Sequence, residues 1–567
     1  MLRHLRAATV ICVSVIFLSA CNNVPDHRKY IPKDASLVAG INLKSLGKTI
    51  AWNMVTGSKL FKEMQKKVPE NNGSNLMSGI DKAGIDALNT FYVYLKSDNR
   101  FNNGIKVTGL VPLNDAGQWE TYVKNNFPKA AITDHKGIKS AALGTDMYVG
   151  WNKNLLIIIN VIENKPQEPL IDPADENYPP QENPTPAPPV AAAPIDMAAE
   201  MDIAFHVADD NTINNNKNFT KLENSGHDIT LWINYEQIMS QYMSDPATAA
   251  MGGVSLSPAF WKETAFACGF DFKKGKITGD MTYYSSDEMA GIYKEFGANN
   301  ADKDMIARMP SQNLDMMLAM HLSTKGIKAM MDKTGLLGLA NSGLSTQGTD
   351  VDNILDAFTG DMAFTMNDLI VKNATGGNQP ARDGSRNTDG SISYVIKINN
   401  KAKFSRLMDI AKASGMMMPV NQGYAVPVSE HDSFFIAMND NYLAVSNRYA
   451  TAGGILAGEY KAAKLPAEAA KQLEGHPFAL YFDIQRVLQN INPGSYIPRE
   501  DSVIYSESKK LLTDFSINGG NFKDNAMQSH LELNFSNKEE SSIITLLDFG
   551  MKINDAIEKN NSSRQGY

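Results

Sequence analysis

Residues Asp146–Asn160 read DMYVGWNKNLLIIIN, and residues Ser433–Asn447 read SFFIAMNDNYLAVSN. The two stretches align without a gap at an offset of 287. In each, apolar residues of period two flank an Asn-rich turn, Asn152-Lys153-Asn154 in one and Asn439-Asp440-Asn441 in the other. The pattern predicts a β-hairpin, with Asn supplying the positive φ that a tight turn needs. A hairpin that occurs twice implies antiparallel pairing and a repeated unit.

The flanks repeat as well. Leu113-Asn114-Asp115 leading to Trp119 matches Ile398-Asn399-Asn400 leading to Phe404, each a strand end before an amphipathic helix. Gly226–Met239 (GHDITLWINYEQIM) matches Gly475–Leu488 (GHPFALYFDIQRVL) at an offset of 249 and reads as a strand running into a helix. Phe272–Ser286 matches Phe522–Ser536 as a further hairpin, whose Ser precedes Asp287 or Asn537 in the manner of a helix N-cap. Ile31-Pro32 pairs with Met309-Pro310, and Asp86-Ala87-Leu88 with Asp356-Ala357-Phe358. Four segments share one plan: an alternating strand, a polar residue (Asn42, Asn234, His321, Asp483), then a helix. The predicted class is α+β, two tandem and structurally similar units, each with an antiparallel hairpin-rich sheet packed against amphipathic helices.

The fall in offset from 287 to 249 gives the first copy 38 extra residues between Asn160 and Gly226. Ten of the 25 prolines lie between Pro166 and Pro194, so residues 163–200 read as a solvated Pro-rich insertion and not as a domain boundary. The boundary is expected near 300, within Gly297–Asp304, giving a first unit over 30–300, a second over 301–560 and a disordered tail over 561–567. Lys372–Asp389 reads as a second polar loop.

At 567 residues the chain exceeds what one hydrophobic core serves, and 43% hydrophobic against 20% charged residues excludes global disorder. A formal charge of -8 leaves no cationic excess for neutralising phosphates, which argues against nucleic acid as a partner. At the N-terminus, Arg3 and Arg6 precede an apolar run from Ala7 to Ala20, too short to span a bilayer and suited to a signal-peptide core. The run ends in Leu18-Ser19-Ala20-Cys21. This resembles the bacterial lipobox, which implies a signal peptide over 1–20, a lipidated Cys21 as the membrane anchor, and a tether over 21–29. Cys12 would leave with the signal, so Cys268 stays without a disulfide partner. No acidic run follows Cys21, and the expected location is the cell envelope, at the outer membrane facing the periplasm.

With that lipobox, the Tyr30-Ile31-Pro32-Lys33-Asp34-Ala35 opening into a strand and Leu43-Lys44-Ser45-Leu46, and the tandem layout, the chain resembles the domain of unknown function 4836 family. These are lipoproteins of Bacteroidetes-type bacteria. The second copy departs from the motif, with Ser311-Gln312-Asn313 in place of Lys33-Asp34-Ala35. The resemblance implies location and architecture and carries no site residue.

Ser45-Leu46-Gly47-Lys48, Ser97-Asp98-Asn99 and Lys333-Thr334-Gly335 spell the three penicillin-binding motifs in order, but Ser323–Leu337 reads as a helix ending at Gly335 where a strand is required. Gly47-Lys48-Thr49 ends a phosphate loop, but position 42 is Asn where Gly is needed. Ser385, Asn387, Asp389 and Gly390 mimic a calcium loop whose twelfth position, Ile396, cannot ligate. The nine histidines show no metal-ligand spacing, and no cofactor is expected. His227 and His476 occupy equivalent positions after Gly and are the binding candidates, against the plainer reading of turn residues. Trp119, Trp151 and Trp232 are matched by Phe404, Met438 and Tyr481, which argues for core positions and not sugar platforms. Met416-Met417-Met418 reads as adaptable packing. These readings favour a lipid-anchored, non-enzymatic binding or scaffolding module with an unknown protein or glycan partner. An envelope hydrolase and a sugar-capturing lipoprotein are the alternatives.

Overall fold

The computed structural model describes residues 26–49, 82–98, 104–144, 147–162, 196–243, 257–371, 388–415, 417–420, 423–428, 433–491 and 502–564. The expected signal peptide, Cys21 and residues 163–195 of the expected Pro-rich insertion lie outside them, as do Ser385 and Asn387. Packing divides the chain into two compact units, residues 1–44 with 65–221 and residues 45–64 with 222–567.

The first unit holds β1 (Leu37–Asn42), β2 (Thr90–Asp98), β3 (Gly104–Pro112), β4 (Thr133–His135), β5 (Ile138–Ala142), β6 (Met147–Trp151) and β7 (Leu155–Ile162). They pair in the order β1-β2-β3-β7-β6-β5-β4, antiparallel throughout. Asp115 caps the helix Ala116–Asn126 by accepting from the Gly117 and Gln118 amides, and Asp196 caps Met197–Phe205 in the same way. Trp119 and Trp151, each 1% exposed, meet edge to face in the core with Val149 and Leu156.

The second unit holds β8 (Ile229–Asn234), β9 (Ala265–Lys273), β10 (Lys276–Tyr284), β11 (Leu314–His321), β12 (Phe358–Val371), β13 (Thr388–Ile398), β14 (Met418–Val420), β15 (Gly423–Pro427), β16 (Ser433–Met438), β17 (Tyr442–Ser446), β18 (Phe478–Phe482), β19 (Leu512–Lys523) and β20 (Ala526–Phe535). Its sheet runs β8-β9-β10-β20-β19-β18-β11-β12-β13-β17-β16-β15-β14, again all antiparallel. The protein is therefore α+β with hairpin-rich antiparallel pairing. Connectivity repeats strand for strand: β11-β12-β13-β17-β16-β15-β14 follows the order of β1 to β7, and β18-β19-β20 that of β8-β9-β10.

Several expectations change. The segment near 300 is not a loose boundary: Ala301 is 3% exposed and donates its N–H to the His476 carbonyl at 2.9 Å, and a Cβ on Gly297 would stand 2.6 Å from the Gly520 oxygen. The reason is the β10–β20 ladder, which joins Lys276–Tyr284 to Ala526–Asn534 and fuses strands of both sequence copies into one sheet. Within the expected tether over 21–29, Asp26 caps a 3-10 helix, His27–Tyr30, in which His27 is buried. The last helix, Ser542–Arg564, runs into the expected tail.

The Asn-rich turns close without positive φ. The Asn152 side chain accepts from the Asn154 and Leu155 amides at 3.0 Å each, and Asn439 accepts from Asn441 and Tyr442 at 2.9 Å each, so both are Asx turns. Asn234 and Asp483 cap the helices that follow them, whereas His321 does not; Ser323 caps there instead. Ser286 caps its helix, but Ser536 donates to the Lys510 carbonyl.

Candidate functional site

The inner face of the second sheet is lined by small residues. Ala319, Ala363, Thr365, Ser393, Ala444 and Ser446 are all fully buried, 0 to 2% exposed, while Met316, Leu318, Met362, Phe364 and Ile396 point to the other face and enclose an apolar hollow of about 310 Å³. Strand register gives these small residues a meaning. In the first unit β2–β3 sets Tyr94 against Thr108 and Lys96 against Lys106, and β3–β7 sets Thr108 against Ile159. In the second, β12–β13 sets Thr365 against Ser393 and Asn367 against Ser391, and β13–β17 sets Ser393 against Ser446. Asn367 thus holds the register position of Lys96, Ser391 that of Lys106, and Thr365 that of Tyr94.

In the first unit those positions are filled. The Lys106 ammonium lies 2.8 Å from Glu200 on the helix Met197–Phe205, and both side chains are 5% exposed. The Lys96 ammonium lies 2.7 Å from Asp34. Tyr94 is buried, which pushes its phenol up to about 12. In the second unit a cavity of about 610 Å³ opens instead, beside Asn367 and Ser391. Pro310 and Gln312, the counterparts of Pro32 and Asp34 in the sequence alignment, also line it.

Each group at the cavity is held by local structure. Asn367 is 2% exposed, and its Nδ2 donates to the Pro310 and Gln312 carbonyls at 3.2 and 2.9 Å. That fixes the amide orientation and leaves Oδ1 buried with no hydrogen-bond partner. The Ser391 hydroxyl is likewise buried without a partner. Asp368 sits in a bulge at φ 53, where it accepts from Asn313 Nδ2 at 2.6 Å. Arg448, at the N-cap position of the helix Tyr449–Ala457, pairs with Asp389. Gly458 ends that helix at φ 72 and brings Glu459 and Tyr460 to the rim. The lining thus has three carboxylates and one guanidinium, and the Arg486 guanidinium, outside the lining, lies 3.5 Å from Asp368. Further in, burial pushes the Asp315 carboxyl above the usual range; it accepts from the Leu369 amide at 2.7 Å and lies 3.1 Å from Arg486.

Of the described residues singled out from sequence, Asp389 and Gly390 line this cavity and the others do not. His227 and His476 enter β8 and β18, which have four strands between them and run in opposite directions. At about 4.8 Å per strand the two rings are at least about 24 Å apart, so the sheet does not bring them together. They also differ: His227 Nδ1 is 3.1 Å from Asp271 Oδ1, whereas His476 Nδ1 is buried without a partner and burial pushes its imidazole below the ordinary value. The three penicillin-binding motifs are not assembled either. Ser45 donates to Asp228, Ser97 belongs to the first compact unit, and Lys333 ends a helix, Thr324–Lys333, where it pairs with Glu288. Gly335 follows at φ 76. Trp232 is buried at 2%, with Phe404 and Tyr481 at 4 and 6%.

Two arrangements carry no motif. His321 Nδ1 lies 3.0 Å from Asp361 Oδ1, both side chains 10% exposed. Burial alone would raise the Asp361 carboxyl, but the bonds from His321 and Thr359 outweigh it and hold it below the usual range. The cavity was missed because Asn367 and Ser391 are unremarkable in isolation. The signal was in the comparison with Lys96 and Lys106.

No histidine, cysteine or lysine lines the cavity among the described residues, so its hydroxyls have no amine or imidazole base beside them. Among the described residues no group of three His, Cys, Asp or Glu side chains is placed to hold a metal ion, and no helix is long and apolar enough to cross a membrane. The groups that line it can donate and accept hydrogen bonds and carry charge. No family model and no curated protein matches the chain. Among solved structures, crystal form III of TP0453 is similar at 8% identity and a TM-score of 0.25, over 46% of this chain and 80% of that one. Crystal form IV of TP0453 gives 10% identity and 0.23, over 45% and 80%.

Proposed function

We propose that this is a lipid-anchored cell-envelope protein of the kind the lipobox resemblance implies, held through Cys21 at the outer membrane and facing the periplasm. In this reading it is a non-enzymatic binding module whose ligand seat is the cavity of the second unit. The observation that carries the seat is Asn367 Oδ1, an acceptor locked in orientation, 2% exposed as a residue and without a partner, beside about 610 Å³ of space. A buried acceptor left unmade costs about 1–3 kcal/mol, which a ligand donor would recover.

Two experiments test the reading. Metabolic labelling with a radioactive fatty acid is expected to mark the wild-type chain and not Cys21→Ser; equal labelling of both removes the anchor. A thermal-shift screen of small polar metabolites against the chain from Asn22 is expected to yield a stabilising ligand whose effect is lost in Asn367→Leu. Hits that stabilise the variant equally remove the seat, and turnover of peptidoglycan or acyl substrates abolished by Ser45→Ala would replace binding with hydrolysis.

A further inference from the structure

We infer that the ligand of this cavity carries alkylammonium groups, as in a diamine or polyamine. The inference rests on the binding reading above and names the chemistry of the same seat. The first unit shows what its register positions hold when filled from within. Lys96 and Lys106 stand directly opposite on β2 and β3 and deliver two ammonium groups to two carboxylates, Asp34 at 2.7 Å and Glu200 at 2.8 Å. In the second unit the same two positions are Asn367 and Ser391, which keep acceptor oxygens and have lost both cations.

The charge there completes the argument. Asp368, Asp389 and Glu459 line the cavity; Asp389 is paired with Arg448 and Asp368 lies 3.5 Å from Arg486, which leaves Glu459 as the lining carboxylate without an ion pair among the described residues. A neutral polyol would meet acceptors but leave the Glu459 carboxylate without a counter-charge, whereas an ammonium group donates three hydrogen bonds and carries the opposite charge. The carboxylates are also dispersed: no three of them converge on a point that would suit a metal ion. Dispersed acceptors fit separated ammonium groups on a flexible alkyl chain, with Tyr460 and Ile370 offering apolar contact to the methylenes.

The test is isothermal titration of the chain from Asn22 with spermidine and with cadaverine, beside maltotriose as a neutral hydroxylated probe, at low and at 300 mM salt. The expected result is saturable 1:1 binding of an amine that weakens with salt and falls at least tenfold in Asn367→Leu and in Glu459→Gln. Ser391→Lys, which restores the plug of the first unit, is expected to abolish binding while retaining the wild-type melting temperature within a few degrees. Amine binding unchanged in all three variants is general association with an acidic surface and overturns the inference. Maltotriose binding that disappears in Asn367→Leu, with no amine binding, overturns the ammonium assignment and leaves the seat standing. Loss of both, together with an empty metabolite screen, overturns the seat itself.

Discussion

Lys106→Met removes one charge of the buried pair in the first unit at nearly constant volume. The Glu200 carboxylate, 5% exposed and 2.8 Å from the ammonium in the native protein, then stays in the core without that cation. Breaking a buried pair from one side costs about 3–5 kcal/mol. For a unit of this size, about 2–4 °C of melting temperature per kcal/mol converts this to a loss of about 6–20 °C. Replacing both members, Lys106→Met with Glu200→Leu, removes the desolvation cost along with the attraction and is expected to lie within about 1 kcal/mol of wild type or above it. Two compact units need not melt together, so a global melt alone is insufficient. Hydrogen exchange read on β3 and β7 peptides isolates the first unit, and peptides from β12 and β13 serve as the internal reference. The reasoning fails if the single variant exchanges within 1 kcal/mol of wild type, or if the double variant is as unstable as the single.

Other expectations follow from single contacts. A methyl on Gly269 would stand 2.0 Å from His227 Cδ2, so Gly269→Ala must displace the ring and its contact with Asp271, at about 1–3 kcal/mol by chemical denaturation. Cys268 is 2% exposed and burial pushes its thiol up to about 12, so a native chain from Asn22 should leave it unmodified by a thiol reagent at pH 8 and titrate one thiol in guanidinium; fast native labelling would contradict its burial. Bonds from Lys461, then from Arg308 and Tyr442, hold the Asp304 carboxyl down to about 2 against the opposing effect of burial. A depressed pKa stabilises above the unfolded value, near 3.8, and the benefit is lost as pH falls through about 2. Asp304→Asn should therefore cost about 1 kcal/mol at pH 6, discounted because the side chain is 47% exposed, and converge on wild type near pH 2; a constant difference across that range would refute the assignment.

Much of the fold was legible because it lies in local pattern. The period-two runs around Asn152 and Asn439 became hairpins, and the strand-to-helix segments at Asn234 and Asp483 became capped junctions. The turn mechanism was not legible, since an Asn side chain accepting two amides and an Asn backbone at positive φ leave the same trace in sequence. The cut near 300 failed for a different reason. Small polar residues read as a linker, but the β10–β20 ladder pairs residues about 250 positions apart, and no local feature of Lys276–Tyr284 announces that partner.

The candidate site was illegible in kind, not degree. A motif search looks for groups that are present, whereas this cavity is bordered by side chains that are short: Ser391 for Lys106 and Asn367 for Lys96. Truncating a core position costs stability in proportion to the space left behind, and each buried acceptor without a donor adds to that cost. A face that opens about 610 Å³ and leaves Asn367 Oδ1 unpaired therefore departs from the arrangement that stability alone would favour, one that the first unit still shows with its lysines in place. Departures of this sort concentrate where a protein does something other than hold its shape. The two histidines keep equivalent places, each after a glycine at positive φ, and four strands lie between them. Their recurrence follows from the turn that each copy needs before β8 and β18, while the difference between the copies lies at the positions where one is filled and the other is not.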